Sequence, residues 1–145
     1  MFLPDEVLER PEGTAPIPHR LVARFAVAAA IVVRRLPPQR IHALLKLARR
    51  GARPATYSEA LTARDAAISV SLHCASREGC LVRSIASALT CRAFGPWPTW
   101  CVGVKTRAPF GAHAWIEAEN AIVGEVVPYE YLSRLISVPP VENKG

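Results

Sequence analysis

From Leu21 to Val33 the chain reads Leu-Val-Ala-Arg-Phe-Ala-Val-Ala-Ala-Ala-Ile-Val-Val, an apolar stretch interrupted by Arg24 and closed by Arg34 and Arg35. A bilayer span needs about 20 apolar residues, so this shorter run predicts a buried core helix. Pro37 and Pro38 end it and begin another. Ile41, Leu44, Leu45 and Ala48 then recur at i, i+3, i+4 and i+7, the pattern of an amphipathic helix, and Gly51 suits its C-cap. His42 beside this stripe reads as a partly exposed helix histidine, and Arg49, Arg50 and Arg53 as a solvated helix end. Thr56 and Glu59 have capping-box spacing, and Leu61, Ile68, Leu72 and Ala75 carry a third helix to about residue 76. After a break at 76–79, a fourth helix starts at or near Cys80 and runs to about Arg92, with Leu81, Ile85, Ala88 and Leu89 on its apolar face. Cys80, Ser84, Ser87 and Cys91 form a narrow stripe of small residues that suits packing against a sheet.

Beyond the turn Phe94-Gly-Pro-Trp-Pro98 the period changes to two, the signature of strands. Strands are expected at 99–106, 112–118 and 121–127, and a short helix after Pro128 carrying Tyr131, Leu132 and Leu135. Residues 1–18, with Pro4, Pro11, Pro16 and Pro18, read as a polar arm, 19–138 as one domain and 139–145 as a polar tail. Helices first and a small antiparallel sheet afterwards make the expected fold class α+β.

Composition narrows the partners. The 145 residues are half apolar, enough for a real core, and 18 Lys+Arg against 12 Asp+Glu give a net charge of +6. That excludes an acidic solvating protein and permits nucleic acid, anionic lipid or an acidic peptide. The basic residues are scattered and carry no recognised motif, so no nucleic acid is expected. The arginines flanking 21–33 leave room for association with a membrane surface. The cysteines, at 74, 80, 91 and 101, include no C-x-x-C pair, which argues against structural zinc and thioredoxin-like redox chemistry. There is no P-loop and no H-E-x-x-H, so neither cofactor nor metal is expected. The N-terminus does not resemble a secretory signal, and the expected compartment is the cytosol, with thiols reduced.

Cys80 follows a glycine and opens a helix, where free N–H groups and the positive dipole end favour a thiolate. Those N–H groups also suit an oxyanion. His113 lies in a period-two strand, on one face with Trp115 and Glu117, and is the candidate general base. A third group would fix the imidazole tautomer by accepting its Nδ1–H. Glu117 lies about 13 Å along the strand from His113, too far. Glu125 on the returning strand pairs directly with His113 if the connecting loop has an odd number of residues, as with 118–120. A two-residue turn at Glu119-Asn120 instead sets Glu125 opposite residue 114 and on the wrong face, unless a bulge at Gly124 restores it.

The segments Gly79-Cys80-Leu-Val-Arg-Ser84, Val102-Gly-Val104, Pro109-Phe-Gly-Ala-His113-Ala-Trp-Ile-Glu117 and Gly124-Glu125, over roughly residues 20–135, resemble the B2 leader peptidases of lasso peptide biosynthesis. These belong to the transglutaminase-like cysteine proteases. The resemblance implies a transglutaminase/papain-like core and a Cys-His-Asp triad that cuts the leader from a ribosomal precursor peptide. Cys80 and His113 match the first two members, and the third falls on Glu125 where the family commonly has Asp. With only a short arm before the first helix, the chain resembles the split form that works with a separate leader-recognition protein (B1 type) and a macrolactam-forming cyclase. Acyl transfer on the same residues and a non-catalytic scaffold that holds the precursor are the alternatives.

Overall fold

Prolines set the first two helix starts. The computed structural model describes residues 11, 13–76, 79–108, 110–125 and 128–141. In it α1 (Ile17–Val33) follows Pro16 and carries Pro18 in its first turn, and α2 (Pro38–Ala48) begins on a proline, whose missing N–H would have no intrahelical partner there. α1 thus starts two residues inside the expected arm, of which 1–10 and 12 lie outside the described residues, as do 142–145 of the expected tail. α3 (Tyr57–Val70) opens on the expected capping box: the Glu59 N–H donates to Thr56 Oγ1 at 3.1 Å and the Thr56 N–H to Glu59 Oε1 at 3.0 Å.

The third helix does not run on to residue 76. Ser71 is extended (φ −144°, ψ 117°), and its hydroxyl accepts the Cys74 N–H at 3.2 Å, so it caps a separate turn, α4 (Leu72–Ala75). The break rotates Leu72 out of the core to 79% exposure. α5 (Cys80–Ala93) follows.

The sheet has β1 (Thr99–Lys105), β2 (Gly111–Ala118), β3 (Ala121–Ile122) and β4 (Leu132–Val138), in the order β3-β2-β1-β4 with every neighbouring pair antiparallel. The expected strand 121–127 is therefore a two-residue ladder; Val123 to Glu125 leave it, and 126–127 lie outside the described residues. The helix expected after Pro128 is a single 3-10 turn, Tyr129–Tyr131, and Leu132 and Leu135 belong to β4. Its period of two is hidden by a bulge. Val102 faces Ile136 while Gly103 faces Arg134, which leaves Leu135 as the extra residue, 68% exposed. Gly103 allows that approach, because a Cβ there would lie 2.0 Å from the Ser133 carbonyl oxygen.

α5 packs on α1, α3 and β2. Alanines make this close: Ala26 and Ala30 of α1, Ala60, Ala63 and Ala67 of α3, and Ala86 and Ala88 of α5 are all buried in one cluster with Trp100, Ile116 and Val138 of the sheet's inner face. The stripe of small residues on α5 does meet the sheet, where the Trp100 Nε1–H donates to Ser84 Oγ at 3.0 Å. On the outer face Cys101, Trp115 and Leu132 form a second cluster. Among the described residues no helix is long and apolar enough to cross a membrane, although Ile17, Leu21, Phe25 and Val32 of α1 are exposed.

Candidate functional site

Cys80 stands at the first position of α5, and the chain before it is held by contacts only glycine and arginine make. Gly79 has an ordinary backbone (φ −90°), but a Cβ on it would lie 1.8 Å from the His73 carbonyl oxygen. The side chain is excluded by the packing of the α4 carbonyl, not by backbone conformation. One turn into α5, Arg83 is 4% exposed and its Nη1 donates to the carbonyls of Cys74 at 2.9 Å and Ser76 at 3.2 Å. It ties the segment before the cysteine to the helix that presents it. Among the described residues no side chain caps the first turn of α5.

The strands bring His113 to Cys80. The Cys80 thiol lies within electrostatic reach of the His113 imidazole and the Ala114 backbone N–H of β2, and both lower its pKa. His113 Nε2 lies 2.6 Å from Glu125 Oε1, with the two side chains only 9% and 7% exposed. With Nε2 so engaged, Nδ1 is the ring nitrogen left for the thiol. The expected orientation is thus reversed.

Glu125 arrives by the even register. Glu119 (φ 52°) and Asn120 (φ 64°) form a two-residue turn, pairing Ala118 with Ala121 and Glu117 with Ile122. The odd loop expected for direct pairing of residues 113 and 125 does not form. The ladder contributes one more bond, Val123 N–H to the Ile116 carbonyl at 3.0 Å, and then Gly124 turns the chain at φ +72°. A Cβ on Gly124 would also lie 2.7 Å from the guanidinium carbon of Arg64, which is 2% exposed. The Gly124 N–H donates to Tyr57 Oη at 3.2 Å. Gly124 therefore meets the left-handed turn and the close approach of Arg64 together, and through it the Glu125 carboxylate returns to the imidazole.

The electrostatics separate Cys80 from the other cysteines. Burial pushes its thiol up, but the hydrogen bonds from His113 and the Ala114 N–H, with the charges of His113 and Arg83, outweigh burial and leave it lowered. Burial raises Cys74, and it takes Cys91 and Cys101 to about 12. For His113, burial works downward, but hydrogen bonds to Cys80 and Glu125 and their negative charges raise it to about 9. Both shifts act in the direction of a thiolate–imidazolium pair.

Other carboxylates and histidines are engaged elsewhere. Glu119 Oε2 accepts the Tyr57 N–H at 2.8 Å, and Glu117 accepts the Trp115 Nε1–H at 2.7 Å. His42 Nε2 lies 3.2 Å from the Ser137 carbonyl oxygen, and His73 Nε2 lies 3.1 Å from Arg34 Nη1, both consistent with structural roles. Tyr57 and Arg64 carry no signal of their own in the sequence, since their part depends on contact with Gly124 some 60 residues on, and Arg83 stands there only as part of the motif at 79–84. Among the described residues no group of three or more His, Cys, Asp and Glu side chains is placed to hold a metal ion. A groove of about 960 Å³, bounded by Thr99, Glu117, Asn120, Tyr129, Arg134 and Pro140, opens at the other end of β2 and includes neither Cys80 nor His113.

No curated protein and no solved structure matches the chain closely enough to count as a relative. The model of one family, the transglutaminase-like superfamily, matches residues 23–137, from within α1 to within β4, and the chain belongs to that superfamily.

Proposed function

We propose that this chain is a cysteine endopeptidase that removes the leader from a ribosomal lasso precursor peptide, with Cys80, His113 and Glu125 as its triad. Members of the superfamily are often cysteine proteases or acyltransferases. The observation that carries the reading is the buried 2.6 Å contact of Glu125 with the imidazole that lowers the pKa of the Cys80 thiol. The motif residues at 79–84, 109–117 and 124–125 support the choice of substrate.

In this reading the Cys80 thiolate attacks the scissile carbonyl, and the tetrahedral oxyanion is met by free N–H groups of the first turn of α5. The His113 imidazolium gives its proton to the leaving amine, and a thioester remains on Cys80. The neutral imidazole then takes a proton from water, which attacks the thioester and frees the leader carboxylate. Glu125 holds the ring in plane and stabilises its charged form. A separate leader-recognition protein delivers the precursor, and a cyclase takes the released core peptide.

The test mixes the chain with precursor peptide, with and without a leader-binding protein, and reads products by mass spectrometry. Hydrolysis gives a leader with a free carboxylate. A leader joined to an added amine points to acyl transfer instead, and an intact precursor under all conditions overturns the enzymatic reading.

A further inference from the structure

One buried carboxylate has no part in the triad. Glu117 of β2 is 6% exposed on the sheet's outer face, where a charge is expensive to bury unless it is well partnered. It is partnered by three donors. Its Oε2 accepts the Trp115 Nε1–H at 2.7 Å and faces the Cys101 thiol at 3.6 Å, and its Oε1 lies 3.7 Å from Arg134 Nη1. Trp115, 1% exposed, presents its ring to His113 with centroids 5.8 Å apart and planes 17° from parallel, an offset stack. His113, Trp115 and Glu117 follow at alternate positions on one face of one strand.

We propose that Glu117 and Trp115 are positioning residues for the imidazole: Glu117 fixes the indole by its Nε1–H, and the indole fixes the plane of the His113 ring. Glu125 grips the ring at one atom, Nε2, and a single hydrogen bond leaves rotation about that contact open. The stacked indole closes that freedom, so that Nδ1 stays aimed at the Cys80 sulfur. An indole is suited to this task because its N–H gives the carboxylate a handle that a phenyl ring lacks. Arg134 and Cys101 hold the carboxylate from the neighbouring strands β4 and β1, so the anchor is part of the sheet.

This inference rests on the proposed triad, and the test separates the two. The rate of Cys80 alkylation by iodoacetamide is followed from pH 4 to 10 in wild type, Glu117→Leu, Glu117→Gln and Trp115→Phe, on a background in which the chain's fold is monitored by thermal unfolding. Wild type should alkylate at Cys80 at lower pH than an ordinary thiol, a profile that depends on the imidazolium and on no peptide substrate. Glu117→Leu and Trp115→Phe should shift the acid limb upward by about one pH unit, a tenfold loss of rate on that limb. Peptide cleavage should lose kcat with KM unchanged. Glu117→Gln, whose amide oxygen still accepts the indole N–H, should recover most of the wild-type profile. A merely structural role lowers Tm and leaves the profile in place. Trp115→Phe covers the case in which Glu117→Leu does not fold. Folded Glu117→Leu or Trp115→Phe with the wild-type profile overturns the positioning role while leaving the triad standing. A wild-type Cys80 that alkylates like a free thiol overturns the triad itself.

Discussion

Replacing Gly124 by alanine places one methyl group at the point where the chain turns Glu125 toward His113. Two penalties follow from the geometry. At φ +72° an L side chain is in the left-handed region, which costs about 1–2 kcal/mol. The new Cβ falls 2.7 Å from the Arg64 guanidinium, and since ordinary contact begins at 3.4 Å, that group must withdraw by about 0.7 Å. A guanidinium is the end of a flexible side chain, but here it is 2% exposed and has little room to yield. Overpacking of this kind typically adds about 1–3 kcal/mol. Together the terms predict a Tm lower by roughly 5–15 °C. The response is shared between Arg64 and the backbone at 124, and any backbone shift moves the Glu125 carboxylate off Nε2. A displacement of about 1 Å in a catalytic array can cost on the order of 10² in rate. The assay is cleavage of precursor peptide beside a thermal melt. Glu125→Gln supplies the comparison. It leaves the turn intact, so its Tm should stay near wild type while turnover falls by about 10²–10⁴, and Glu125→Asp should keep more activity. Gly124→Ala with both wild-type Tm and wild-type turnover refutes the account of how Glu125 reaches the site.

Cys80→Ala and His113→Ala should each abolish cleavage, and the double variant should be no worse than either, because triad members act as a unit; a further loss in the double variant equal to that of the second single change contradicts this. Gly79→Ala should fold poorly or lose most activity, since its Cβ meets a carbonyl oxygen at 1.8 Å and backbone cannot swing aside; a melt and activity like wild type contradict it. The pH profile of kcat/KM should be bell-shaped. Below the lowered Cys80 value the thiolate is protonated and activity falls, and activity falls again above about 9 as His113 loses its proton, the two limbs belonging to the coupled pair. An alkaline limb that stays flat past pH 10 counts against the ion pair.

Much of this arrangement was legible in the residues because it is local. The Thr56 and Glu59 capping box, the helix opening at Cys80 and the alternation around His113 each depend on neighbours within four positions. What was hidden depends on distant chain. Leu132 and Leu135 have helical spacing only because the bulge at Leu135 breaks the alternation of β4, and that bulge exists because Gly103, on another strand, lets Ser133 approach. Leu72 follows the apolar period of α3 until Ser71 spends its hydroxyl on the Cys74 N–H. The return of Glu125 combines a two-residue turn with a left-handed glycine. The residues allow both registers, and the choice is made where Arg64 and Tyr57 of α3 pack on Gly124. The role of Nε2 was equally out of reach, because it follows from which side of the ring meets the α5 start.

The most direct test of the triad is to trap the acyl-enzyme. Precursor peptide and its leader-binding protein are mixed with the chain, quenched in acid within the first turnover, and the intact protein and its proteolytic fragments are weighed. The account predicts a mass increase equal to the leader acyl group, carried by the fragment containing Cys80, lost with hydroxylamine and absent from Cys80→Ala. Leader released with no adduct on Cys80, and released equally by Cys80→Ala, would contradict it.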